Sequence, residues 1–145
     1  VKDDADQIAS LIKTFEMQTL LALTIPSSIA FGTFAPGEET TSLNNAEYTL
    51  TQRGNDVASV MISGTSMSCT GVGSIPVENI TWATIDVGAT HASATSVTAT
   101  PSDAGLSIGT NDTGSLSQNL YLNLIMPMGV GGTCTGNLTV EAASA

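Results

Sequence analysis

Residues 116–142 read LSQNLYLNLIMPMGVGGTCTGNLTVEA, and their alternation decides the fold class. Leu116, Leu120, Leu122, Leu124 and Met126 share one face of the first run, with Tyr121 and Asn123 opposite. The Pro- and Gly-rich stretch 127–132 turns the chain. In residues 133–142, Cys134, Gly136, Leu138, Val140 and Ala142 then point one way, and Thr133, Thr135, Asn137, Thr139 and Glu141 the other. A period of two is that of a strand buried on one face only, which is common in antiparallel sheets.

The same period recurs upstream. Tyr48 and Leu50 share a face, as do Ala58, Val60 and Ile62, and Met67 and Cys69. Residues 80–87 read as a strand with Ala83, Ile85 and Val87 on one side and Trp82 on the other. Residues 91–100 read as a weak edge strand or a loop, and 101–115 as a long turn region broken only by Leu106 and Ile108. Turn signals at 35–39 (APGEE) and 53–56 (RGND) separate the runs. Short strands punctuated in this way predict an all-β, immunoglobulin-like or jelly-roll-like β-sandwich.

Cys69 and Cys134 both fall on the apolar parity of their strands, and the chain has no CxxC pair. A disulfide between them is expected, the alternative being two buried thiols. Closing a loop of about 65 residues would contribute roughly 4 kcal/mol.

The 145 residues are 41% apolar but only 4% aromatic and 11% charged, against about 25% charged in an ordinary domain. The net charge of −10 reflects a scarcity of bases: Lys2, Lys13 and Arg53. Without a basic patch, nucleic acid and anionic lipid are not expected partners. The apolar run at 20–25 is too short to span a bilayer, which takes about 20 residues. The chain starts at Val1, and a processed, secreted protein whose signal peptide has been removed is expected.

Little chemistry is legible. His91 is the one histidine, no Ser stands in a GxSxG elbow, and the Gly-rich loops lack the strand–GxGxxG–helix setting of a nucleotide site. No catalytic residue, cofactor or metal is expected, and the chain is read as a non-enzyme. Three sequons begin at Asn79, Asn111 and Asn137. About two would occur by chance in a chain so rich in Ser and Thr.

The N-terminal stretch carries more. Ile8, Leu11, Ile12 and Phe15 have helical spacing, whereas Leu21, Leu23 and Ile25 alternate. Residues 1–18 are therefore read as an arm, helical or extended, ahead of a single sandwich domain at 19–145. Residues 19–25 and 29–34 read as two strands joined at Pro26. The arm either packs on its own domain or enters a neighbouring molecule. Adding a strand to a neighbour's open edge satisfies its unpaired N–H and C=O groups, and head-to-tail repetition builds a filament.

The runs LALTIPSSIAFGTFAPGEETTS (residues 21–42), YTLTQRGNDVASVMISGTSMS (48–68) and MPMGVGGTCTGNLTVEA (126–142) resemble prokaryotic secreted β-sandwich proteins. The resemblance extends to archaeal extracellular filament subunits (bundling pili and threads) and to the TasA/camelysin fibres of bacterial matrices. In the related last hairpins an aromatic residue stands where this chain has Cys134. The resemblance implies a biofilm or surface filament joined by donor-strand complementation, with the donor role within residues 1–25: Ile8, Leu11, Ile12, Phe15, Leu21, Leu23 and Ile25. It also implies a homopolymer at the cell surface, with glycans as further partners. The alternative is a monomeric cell-surface adhesin or ligand-binding module using the 101–115 loop as its contact region.

Overall fold

The computed structural model describes residues 17–86, 90–110 and 116–145. The strands are β1 (Leu23–Thr24), β2 (Ala46–Gln52), β3 (Ala58–Gly64), β4 (Met67–Cys69), β5 (Ser74–Ile75), β6 (Ile80–Ala83), β7 (Thr95–Ser96), β8 (Ser102–Ile108), β9 (Ser117–Leu124), β10 (Cys134–Thr135) and β11 (Leu138–Ser144). Two single 3₁₀ turns, Val77–Asn79 and His91–Ser93, complete the elements. The protein is an all-β sandwich, and all its strand pairs are antiparallel.

One sheet has the order β1-β2-β9-β6-β7, and the facing sheet has the order β11-β3-β8. A small third sheet, β10-β4-β5, adjoins them. The core lies where the predicted parities meet. Tyr48 and Leu50 of β2, Leu120, Leu122 and Leu124 of β9, and Val60 and Ile62 of β3 are all buried. Each such aliphatic side chain stabilises the fold by about 1.5–3 kcal/mol on leaving water.

Several expectations need correction. Residues 102–108 are not a turn region but strand β8, paired with β3, and Ala104, Leu106 and Ile108 are buried. The pattern SDAGLSI alternates, but small residues at 102–105 hide it. Gly105 has φ +64°, close to where the register with β3 shifts between Ser59 and Met61. Strand β6 stops at Ala83, and its inward residues are Ile80 and Trp82, whereas Ile85 is 67% exposed. The single Trp is thus a core residue. Residues 133–142 are not one strand, because Gly136 and Asn137 separate β10 from β11. Residues 29–34 form no strand and pair with none among the described residues, and in 19–25 only Leu23 and Thr24 form a ladder.

Polar residues are buried against the five-stranded sheet as well, and Thr81 Oγ1, Trp82 Nε1 and Asn123 Nδ2 have no hydrogen-bond partner among the described residues. Thr40 is fully buried; its Oγ1 accepts from the Leu124 N–H at 2.8 Å and donates to Asn123 Oδ1 at 3.4 Å. The Asn45 Nδ2–Asp86 Oδ1 bond of 2.8 Å ties the segments before β2 and after β6 together, on either side of β9.

Candidate functional site: an open edge and the cavity beside it

The three-stranded sheet has two edges of equal length, and they differ. On β8 the inward side chains are buried. On β11 the inward residues Leu138, Val140 and Ala142 are only half-buried. β11 pairs with β3 from Leu138↔Gly64 to Ser144↔Ala58 without a register shift, and among the described residues nothing pairs with its other side. β10 is likewise the outer strand of its sheet.

Upstream of Leu138, this edge borders a cavity of about 870 Å³. One wall is residues 132–138 and the other residues 25–34, with Tyr48, Met67, Ile75, Ile80, Leu124 and Met126 between them. In the second wall Ile29, Phe31 and Phe34 are half-buried, while Ala30, Gly32 and Thr33 face out. Its backbone from Ser27 to Phe34 makes no hydrogen bond among the described residues. Pro26 O accepts from the Tyr48 hydroxyl at 3.2 Å, and burial raises that phenol's pKa. Among the described residues the second wall's backbone is thus unpaired, whereas the first wall is hydrogen-bonded on its β4 side, Thr133 O accepting from the Thr70 N–H at 3.0 Å, and has no strand on its outer side. Small-molecule pockets of about 300–1,000 Å³ combine an apolar lining with a few convergent polar side chains. Here the floor is apolar, the walls add Ser27, Ser28, Thr33, Thr133, Thr135 and Asn137, and the open backbone beside them is what a peptide strand satisfies.

The covalent lock lies in the first wall. Cys69 and Cys134 are bonded (S–S 2.04 Å) and directly opposite in the β4–β10 ladder. The bridge adds a covalent tie to a two-residue strand whose flank is also held by main-chain bonds, the Thr70 N–H donating to Thr133 O at 3.0 Å and Val72 exchanging bonds with Gly131. Thr65 holds the start of β11: its N–H donates to Asn137 O at 2.9 Å, and its Oγ1 accepts from the Asn137 N–H at 3.0 Å.

Of the residues expected in the donor segment, Ile8, Leu11, Ile12 and Phe15 lie outside the described residues. Leu21, Leu23 and Ile25 do not form one free strand. Leu23 pairs with Gln52 of its own β2, and Ile25 already belongs to the cavity wall. The chain is held from residue 18 onward. Asn55 Nδ2 donates to Gln18 O at 2.9 Å, the Leu20 N–H donates to Asn55 Oδ1 at 2.6 Å, and the Arg53 N–H donates to Ala22 O at 2.8 Å. Gly54 makes this approach possible, since a Cβ there would collide with the Leu20 carbonyl. The sequence shows 53–56 as a turn and gives no sign that it clamps the arm's root. The unpaired wall at 27–34 is hidden too, because alternation marks an extended chain but not whether a partner strand exists.

The sequons divide. The Asn79 amide donates to Ile125 O at 3.0 Å and Thr81 is buried, so this motif is committed to the fold. Asn111 lies outside the described residues. Asn137 is exposed and lines the cavity. His91 opens a 3₁₀ turn. Among the described residues no group of three or more His, Cys, Asp or Glu side chains comes together, and no helix is long and apolar enough to cross a membrane. Comparison with protein-family models, with characterised proteins and with solved structures returns no match to this chain.

Proposed function

We propose that the chain is the structural subunit of an extracellular filament, in which the N-terminal arm of one copy occupies the cavity of the next. The observation that carries this reading is a cavity floored by core side chains, set between a backbone run that pairs with nothing among the described residues and the outer edge of β10 and β11. A strand placed there would meet the outer edge of β10 and β11 and cover the half-buried face of β11. A disulfide suits an oxidising, extracytoplasmic setting. Of the 101–115 contact region that the adhesin reading uses, residues 102–108 form edge strand β8, with Asp103, Gly105 and Ser107 exposed, and 111–115 lie outside the described residues.

Electron microscopy of the purified chain tests the proposal. Regular fibres are expected, and deletion of residues 1–16 should leave dispersed single-domain particles. Fibres formed equally well by the truncated chain would overturn it.

A further inference from the structure

The direction in which an arm enters the cavity follows from where the chain leaves the sandwich. The β2–β3 turn at residues 53–57 marks one pole, and the end of β3 at Gly64 lies toward the other. The arm's root is bound at the first pole, through Asn55 and Arg53. The cavity lies at the second. Tyr48 is near the start of β2, Ile80 opens β6, Leu124 ends β9, and Asn137 is bonded to Thr65 just past β3.

Strand polarity then fixes the two walls. β1 is antiparallel to β2 and so runs from the first pole toward the second, and residues 25–34 follow it into the cavity wall. β11 is antiparallel to β3, and β10 to β4, so the other wall runs in the opposite sense.

We infer that residues 1–16 of a second copy enter this cavity antiparallel to β10 and β11 of the receiving subunit, in the same direction as its residues 25–34. The inference rests on the filament reading above. Traced backward from β1, the chain reaches the first pole at residues 18–22, at the end of the sandwich opposite its own cavity. A neighbour stacked head to tail presents its second pole there, and the arm enters without changing direction. To reach its own cavity the arm would have to reverse, and it would then run parallel to β10 and β11. Reach does not separate the two cases, since sixteen extended residues span about 50–58 Å and the seven residues of β2 about 23 Å. The sequence does separate them. A tight reversal draws on Gly, Asn, Asp or Pro, and residues 11–20, LIKTFEMQTL, contain none. The receiving edge also fits, because β11 is straight in register and carries Glu141 as its one charge.

Cross-linking in fibres of the full chain tests direction. Copies carrying Asp4→Cys or Thr14→Cys are each mixed with copies carrying Thr133→Cys or Glu141→Cys, allowed to polymerise, and treated with a short bis-maleimide. Insertion as inferred joins position 4 to 141 and position 14 to 133, at yields at least ten-fold above the swapped pairs. Dominance of the swapped pairs overturns the orientation and leaves the filament reading standing. So do fibres in which none of the four pairs joins. Dispersed particles in every mixture, and for the unsubstituted chain alongside, bring down both.

Discussion

β8 and β11 flank the same central strand, have the same length and alternate in the same way, yet one is a finished edge and the other is not. β8 carries Gly105 at φ +64° and lies against a register shift in β3, and its inward residues are buried. A bulge and a bend are among the devices that keep an edge from recruiting another strand. β11 has a regular ladder, one charge, and an inward face left half open. Among the described residues one edge is thus protected, and the one that continues the cavity wall is not. Such an asymmetry would suit the proposed role of receiving a strand on one side.

Substitution can break the comparison. The largest difference is expected from an inward lysine. Leu106→Lys buries an unpaired charge and should cost upward of about 4 kcal/mol, enough to leave little folded protein by circular dichroism. Val140→Lys should give folded, dispersed subunits that make no fibres. If Val140→Lys unfolds the chain as thoroughly, β11 is an ordinary core strand. Truncation gives a finer measure. Ile108→Ala should cost about 3–4 kcal/mol in urea unfolding of the chain lacking residues 1–16. In the same chain Val140→Ala should cost about 1 kcal/mol, for its smaller buried area. Equal losses would erase the asymmetry.

Smaller effects sharpen it. Gly105→Ala forces a side chain into the left-handed region and should cost about 1–2 kcal/mol, read as a fall in the urea midpoint. A cost near zero would mean that the bend is not fixed by that glycine. The smallest effect concerns Tyr48, which holds the other wall through Pro26. Burial raises its pKa above 10.0 in the folded chain. The unfolded chain therefore loses this proton first as pH rises. Stability from Tyr48 is complete below about pH 10 and declines from there up to the raised native value. Tyr48→Phe should flatten that decline, and an unchanged alkaline profile would mean another group titrates there.

The core was largely legible from period-two runs of large side chains. Leu120, Leu122 and Leu124, and Val60 and Ile62, announced their faces without help from context. β8 was not legible, because Ser, Asp, Ala and Gly at 102–105 carry little hydrophobic contrast even where Ala104 is buried. The orientation of Trp82 was misjudged because parity was counted over residues 83–87, after the strand has ended. The Cys pair is expected from two cysteines without a CxxC, with the shared parity in agreement, and the bond is present. The receiving site left only half a trace. The alternation at 29–33 marks an extended segment, and residues 133–142 mark a strand. That the two stand apart with a cavity between them is a property of the pairing, and single-strand patterns do not encode it.

The placement of the disulfide has a mechanical consequence. In a fibre held together by inserted strands, tension along the axis pulls each arm lengthwise against β10 and β11. An antiparallel ladder loaded in that direction must slip all its hydrogen bonds at once instead of opening one after another. The weak point then moves from the joint to the wall, where β10 is only two residues long. Cys134 ties that wall to β4, and so to the chain that continues from β3 in the core. Force would therefore pass from subunit to subunit through a covalent rivet, and a reductant should shorten the extension at which the fibre parts well before it unfolds an unloaded subunit.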